Sequence, residues 1–182
     1  MKKRKFAIAE GIYGEDIRGI RNQLQMTQAE FAEMVRVSKK TIERWEGGKD
    51  VITGPIVTLV KALSVYPQLV TELEIPEKKY PLRLWYMKGR DVCTVMDVDE
   101  RMRRLIVYNY TNDIMCRAFG RVEKPDYEQY EQFLESRCFP RTRDKMKLEL
   151  KALDLPFYEP ILIIEKTQGR MAEDDFWIKL ER

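Results

Sequence analysis

Residues 38–48, Ser-Lys-Lys-Thr-Ile-Glu-Arg-Trp-Glu-Gly-Gly, concentrate the side chains of this chain that could do specific chemistry. Lys39, Lys40, Glu43 and Arg44 fall on one side of a helix whose other side carries Ile42 and Trp45. Two lysines in the first turn of a helix oppose the macrodipole, which argues against a purely structural role for them. Residues 36–49 hold five basic and two acidic side chains, a local charge of +3. A cationic helix N-terminus of this kind has the geometry to meet base edges in a DNA major groove. The competing reading is a solvated charged face.

The surrounding elements decide how those side chains are held. Thr27 and Glu30 form a capping box, so the spacing predicts a helix from Gln28. Phe31, Ala32, Met34 and Val35 give that helix an apolar face at helical spacing. Val37 reads as a buried pin in the turn, Ser38 as a second N-cap, and Lys39 to Gly47 as the next helix, stopped by Gly47 and Gly48. Two short capped helices joined by a tight turn shift the balance towards DNA.

Arg18 to Leu63 resembles the helix-turn-helix domain of phage-repressor type regulators, the Xre or Cro-like family. The matching residues are Arg21 and Leu24, the run Met26-Thr27-Gln28-Ala29-Glu30-Phe31-Ala32, then Val37-Ser38, Thr41-Ile42, Trp45-Glu46 and Gly48. Gly54-Pro55 opens a further helix through Leu59 and Leu63, so the likeness covers about a quarter of the chain. The resemblance implies that the helix from Gln28 crosses the DNA backbone and that the helix after Ser38 is the recognition helix. By position it implies Gln28 and Thr41 as phosphate contacts, Lys39 and Lys40 as base readers, Arg44 as a base or phosphate contact, and Ser38 among the DNA-facing residues. Lysine suits guanine O6 and N7, and Glu43 suits cytosine N4 unless it pairs with Lys39 or Lys40 instead. Arg36 stands where the family often has a turn glycine, so a left-handed arginine is expected there, with a phosphate contact open to it.

The rest of the composition narrows the function classes. The 182 residues include no histidine, which excludes Ser-His-Asp and Cys-His catalytic pairs and histidine-ligated metal. No Walker loop or dinucleotide fingerprint occurs. The reading is therefore of a non-enzyme with no cofactor and no metal. Cys93, Cys116 and Cys138 lack metal-ligand spacing and read as buried free thiols in a reducing cytoplasm. No apolar run reaches membrane-spanning length, so a soluble cytoplasmic protein is expected. The leader Lys2-Lys3-Arg4-Lys5 reads as a basic arm or a solubilising end. Residues 1–79 carry 14 basic and 11 acidic side chains, against 19 of each in residues 80–182. The whole excess of +3 thus lies in the half with the candidate DNA-reading helix.

Ile75-Pro76-Glu77-Lys78-Lys79-Tyr80-Pro81 has the composition of a linker, preceded by a short helix over Leu69 to Leu73. The expected organisation is an N-terminal domain over 1–78, with 1–14 as its basic arm, and a second domain over 79–182. Alternating Leu82, Leu84 and Tyr86, then Val92 to Val98 and Leu105 to Tyr110, predict a small antiparallel sheet. Ile114 to Phe119 reads as a further strand or an irregular return. Tyr127, Tyr130, Phe133 and Leu134 predict a helix ending near Arg137. Thr142 is expected to cap a second helix with Met146, Leu148, Leu150 and Leu153 mostly inward, and Ile161 to Thr167 to form a third, ended by Gly169. Asp174 to Ile178 reads as a hydrophobic plug. The fold class is α+β: an all-α helix-turn-helix domain of four to five helices, then an α+β domain with a small sheet and three helices.

Residues 123–135 carry a net −4 and residues 137–151 a net +4. Arg137, Arg141, Arg143, Lys145 and Lys147 are the candidate ligand or partner site of the second half, against the simpler reading of a helical hairpin with complementary rims. Three functions follow: a DNA-binding transcriptional repressor acting as a homodimer through its second half, an autoregulating antitoxin whose second half covers a toxin, and a nucleotide- or phosphate-binding domain tethered to DNA.

Overall fold

The computed structural model describes residues 4–142 and 144–182. The chain divides into two compact units, Met1–Ile75 and Pro76–Arg182. The first is helical, with α1 over Gly14–Gln23, α2 over Gln28–Met34, α3 over Lys39–Gly47, α4 over Pro55–Val65 and α5 over Gln68–Leu73. The second combines four strands with three α-helices, so the α+β class expected above is the one observed.

In the first unit Ile17, Phe31, Ile42 and Leu63 are fully buried and belong to one cluster fed by α1 to α4. Burying each such side chain contributes about 1.5–3 kcal/mol. The caps are those the sequence asks for. Glu30 N–H donates to Thr27 Oγ1 at 3.3 Å while the Glu30 carboxylate accepts from Thr27 N–H at 2.7 Å, and Thr41 N–H donates to Ser38 Oγ at 3.1 Å. Two helices end in the same way. Gln25 at φ 56° follows α1 and Arg36 at φ 58° follows α2, each in a left-handed cap. Met26 N–H then reaches Arg21 O, and Val37 N–H reaches Ala32 O, the longer bond of a Schellman motif. Val37 and Trp45 are half-buried rather than enclosed. Ile12 is buried and pairs with Ile52 as a one-residue bridge, so residues assigned by sequence to a basic arm include a core contact. Lys2 and Lys3 lie outside the described residues.

In the second unit β1 (Leu82–Lys88), β2 (Asp91–Asp99), β3 (Arg104–Asn109) and β4 (Phe176–Glu181) form an antiparallel sheet in the order β3-β2-β1-β4. A 3-10 turn occupies Ile114–Cys116, capped by Asp113, so the irregular return is observed and the extra strand is not. The helices are α6 (Tyr127–Ser136), α7 (Met146–Ala152) and α8 (Pro160–Thr167). Leu84, Tyr86, Met96, Val98 and Ile178 join Phe133, Ile163 and Ile164 in one core. The expected C-terminal plug is instead β4, in register with β1 through Leu84–Leu180 and Tyr86–Ile178. Its alternation explains this: Ile178 and Leu180 share the core face with β1, while Trp177 and Lys179 take the other. Thr142 does not cap α7, which begins at Met146 with Lys145 in the N-cap position. Leu148 is exposed because it lies two residues, about 200° of helix rotation, from the buried Leu150.

The presumed linker is tied to the sheet. Arg83 and Asp97 face each other across β1 and β2 and form a buried pair, Nε to Oδ1 at 2.6 Å. Lys79 N–H donates to Asp97 Oδ2 at 2.8 Å and Arg83 Nη2 donates to Pro76 O at 2.8 Å. These bonds satisfy donors and acceptors that would otherwise be costly to bury.

Candidate nucleic-acid interface

The candidate interface rests on a carboxylate that sequence reasoning left unassigned. Glu46, on the inner side of α3, is only 7% exposed. It accepts from Arg21 Nε at 2.7 Å and Arg21 Nη2 at 3.1 Å, and from Gln28 Nε2 at 2.9 Å. Arg18 Nη2 donates to the Glu46 carbonyl at 2.8 Å, and Arg21 Nη1 reaches Met26 O at 2.9 Å. One acidic side chain thereby joins α1, α2 and α3. The hydrogen bond from Arg21 holds the Glu46 carboxyl below its ordinary range, against the opposing effect of burial. A backbone contact acts in the same direction, since a side chain on Gly14 would collide with the Trp45 carbonyl oxygen. Only glycine permits α1 to start that close to the end of α3.

With its inner side bolted, α3 turns Lys39, Lys40, Glu43 and Arg44 outward, all exposed. Lys39 Nζ lies 3.3 Å from Glu43 Oε1 at the i, i+4 spacing, so Glu43 is a partner for Lys39 on the helix surface. The Ser38 and Thr41 hydroxyls are 2.8 Å apart and serve the N-cap of α3. Arg36 is exposed in the turn ahead of the helix. Gln28 is half-buried, and its amide nitrogen is engaged by Glu46.

Residues 17–64 match a family model described as helix-turn-helix. These residues form a helix-turn-helix domain. A curated relative, Antitoxin HigA-2 of Vibrio cholerae serotype O1 (strain ATCC 39315 / El Tor Inaba N16961), is 34% identical over 59 residues, 32% of this chain. That match spans 57% of the relative's own length. The helix-turn-helix domain accounts for α1 to α4, with α2 and α3 as its two central helices.

The second-half candidates are not equivalent. Arg137 is buried and fully used: its guanidinium meets Asp174 at 2.6 and 3.0 Å and also bonds the Gly169 and Phe176 carbonyls. The Arg137 hydrogen bond holds the Asp174 carboxyl below its usual range. Arg141 is exposed, pairs with Glu135 at 2.7 Å and lies over the Tyr158 ring. Lys145 and Lys147 are exposed, and Arg143 lies outside the described residues. The complementary rims thus meet through Arg141 and Glu135, while Arg137 braces the approach to β4. All three cysteines are buried and free, as their sequence settings suggest. Among the described residues no helix is long and apolar enough to cross a membrane.

Proposed function

We propose that the protein is a sequence-specific regulator of transcription that binds duplex DNA as a homodimer and acts as a repressor. The observation that carries this reading is the two-sided character of α3. Its inner side is fastened by the Glu46 cluster, and its outer side presents Lys39, Lys40 and Arg44. A reading helix has to be rigid in orientation and exposed in side chain, and α3 has both properties. Lys39 and Lys40 serve as base readers, with Arg44 and Arg36 at bases or phosphates and Thr41 and Ser38 beside the backbone. Gln28 serves chiefly to orient α3 through Glu46, with its remaining polar surface towards phosphate. Residues 79–182 supply dimerisation or control, with operator half-sites about 34 Å apart. Lys39→Ala with Lys40→Ala is expected to cost about 1–3 kcal/mol per lost base contact in a duplex-binding titration. Unchanged affinity and specificity in that double variant would remove the assignment.

The named relative favours a second reading, an autoregulating antitoxin whose second half covers a toxin. Co-expression with the product of the neighbouring reading frame separates the two. This reading expects a neighbour that arrests growth and is neutralised by the full chain, whereas a harmless neighbour contradicts it. The phosphate-binding reading loses support because Arg137 is already committed to Asp174.

A further inference from the structure

The two edges of the sheet are finished differently. On β4 the outward backbone is occupied. Ile178 N–H donates to Gln168 O at 2.7 Å, Phe176 N–H donates to Asp174 Oδ1 at 3.0 Å, and Phe176 O accepts from Arg137 Nη2 at 3.1 Å. On β3 it is bare. Ile106 and Tyr108 oppose Asp97 and Val95, and the ladder continues with Tyr110 N–H to Cys93 O at 2.9 Å, so the even-numbered residues bond to β2. Leu105, Val107 and Asn109 therefore turn their N–H and C=O groups away from the sheet. Among the described residues those outward groups meet no hydrogen-bond partner. Sheet edges are ordinarily guarded against pairing by proline, lysine, a bulge or a covering loop. Arg104-Leu105-Ile106-Val107-Tyr108-Asn109 has no proline and no lysine, and its register with β2 is unbroken, whereas that of β1 with β2 shifts between Tyr86 and Met87. Leu105 and Val107 lie on the core face, Ile106 and Tyr108 on the other, and all four are only half-buried.

We propose that β3 is the dimerisation edge of this chain, pairing antiparallel with β3 of a second copy to join two four-stranded sheets into one continuous sheet. The inference rests on the homodimer reading above and names the surface that the dimer uses. Charge selects the second copy and its direction. Exposed Arg101 and Arg104 stand at the start of β3, and exposed Asp113 follows its end. A two-fold axis at Val107 sets the basic end of each strand beside the acidic end of the other, where parallel pairing would stack arginine on arginine. That register pairs Val107 with its own copy and Leu105 with Asn109 of the partner subunit, giving about six main-chain bonds. It also sets Ile106 against Tyr108 of the partner subunit, an aromatic and β-branched pair of the kind that stabilises adjoining strands.

The test measures the mass of the full-length protein by sedimentation equilibrium over a range of concentrations. Val107→Pro removes an outward N–H and leaves the bonds of Ile106 and Tyr108 to β2 in place, as an edge strand permits. Ile106→Lys sets a guarding charge on the pairing surface without altering the backbone. The native protein is expected to be a dimer, and each variant to dissociate at least about a hundredfold more readily, with thermal melts confirming the fold. Amide exchange of the native protein gives a reading that needs no variant. The Leu105, Val107 and Asn109 amides should exchange at least about tenfold more slowly above the dimer dissociation constant than below it. A native monomer, a dissociation constant unchanged in a folded variant, or exchange at those amides that ignores concentration would each overturn the proposal. A dimer that survives both variants removes this edge and leaves the homodimer reading standing, whereas a native monomer removes both.

Discussion

Glu46 is the residue on which the orientation of α3 depends, because it gathers donors from α1 and α2 onto a buried carboxylate. Glu46→Gln leaves the Arg21 guanidinium facing a neutral acceptor, and a loss of about 3 kcal/mol is expected in denaturant titrations. The pH dependence has a definite sign. The Glu46 carboxyl titrates lower in the folded chain than in the unfolded one. Its contribution is therefore present above the unfolded value of about 4.3 and lost as pH falls through the folded value. Acid melts should show this decline in the native protein, and Glu46→Gln should flatten it. Arg36 makes the opposite kind of prediction. Its left-handed backbone is strained for any residue with a Cβ, so Arg36→Gly should stabilise the domain by about 1 kcal/mol. If Arg36 also touches a phosphate, the same variant lowers DNA affinity and reduces the salt slope by about one.

At the scale of elements, local signals were readable and distant ones were not. The bounds of α2 and α3 follow from Thr27, Glu30 and Ser38, since a cap and its partner are three residues apart. The Arg21–Glu46 contact joins residues 25 positions apart, and nothing local in either residue announces it. The same holds for Arg137 with Asp174 and for Arg83 with Asp97, where burial turns apparent surface charge into internal bracing. Strand β4 carries a legible signal, since Phe176, Ile178 and Leu180 alternate with Trp177 and Lys179, but the pairing with β1 that makes it a strand lies about 95 residues away in sequence. Leu148 shows the limit of counting apolar residues without phase, since a seven-residue helix buries only one stripe. The close approach of α1 and α3 predicts that Gly14→Ala will force them apart, costing about 1–3 kcal/mol and weakening DNA binding. A melt and a binding titration on that variant check both effects.

For the whole molecule, the chain divides into Met1–Ile75 and Pro76–Arg182. The first unit carries 12 basic and 10 acidic side chains, a net of +2, the second 21 and 20, a net of +1, and the first holds the exposed Lys39, Lys40 and Arg44 of α3. DNA binding should therefore weaken steadily with added salt, as counterion release requires. The bonds from Lys79 to Asp97 and from Arg83 to Pro76 fasten the presumed linker to the second unit. Asp97→Ala should accordingly increase proteolytic nicking at Lys78 and Lys79 before the sheet unfolds, as limited trypsin digestion would show. The central claim is tested most directly by selecting bound duplexes from a random-sequence library with the full-length protein, alongside Lys39→Ala/Lys40→Ala. The account predicts that the native protein enriches a discrete motif, repeated in two half-sites, and that the double variant loses or relaxes it. Enrichment of no motif by the native protein, or of the same motif with equal strength by the double variant, would contradict it.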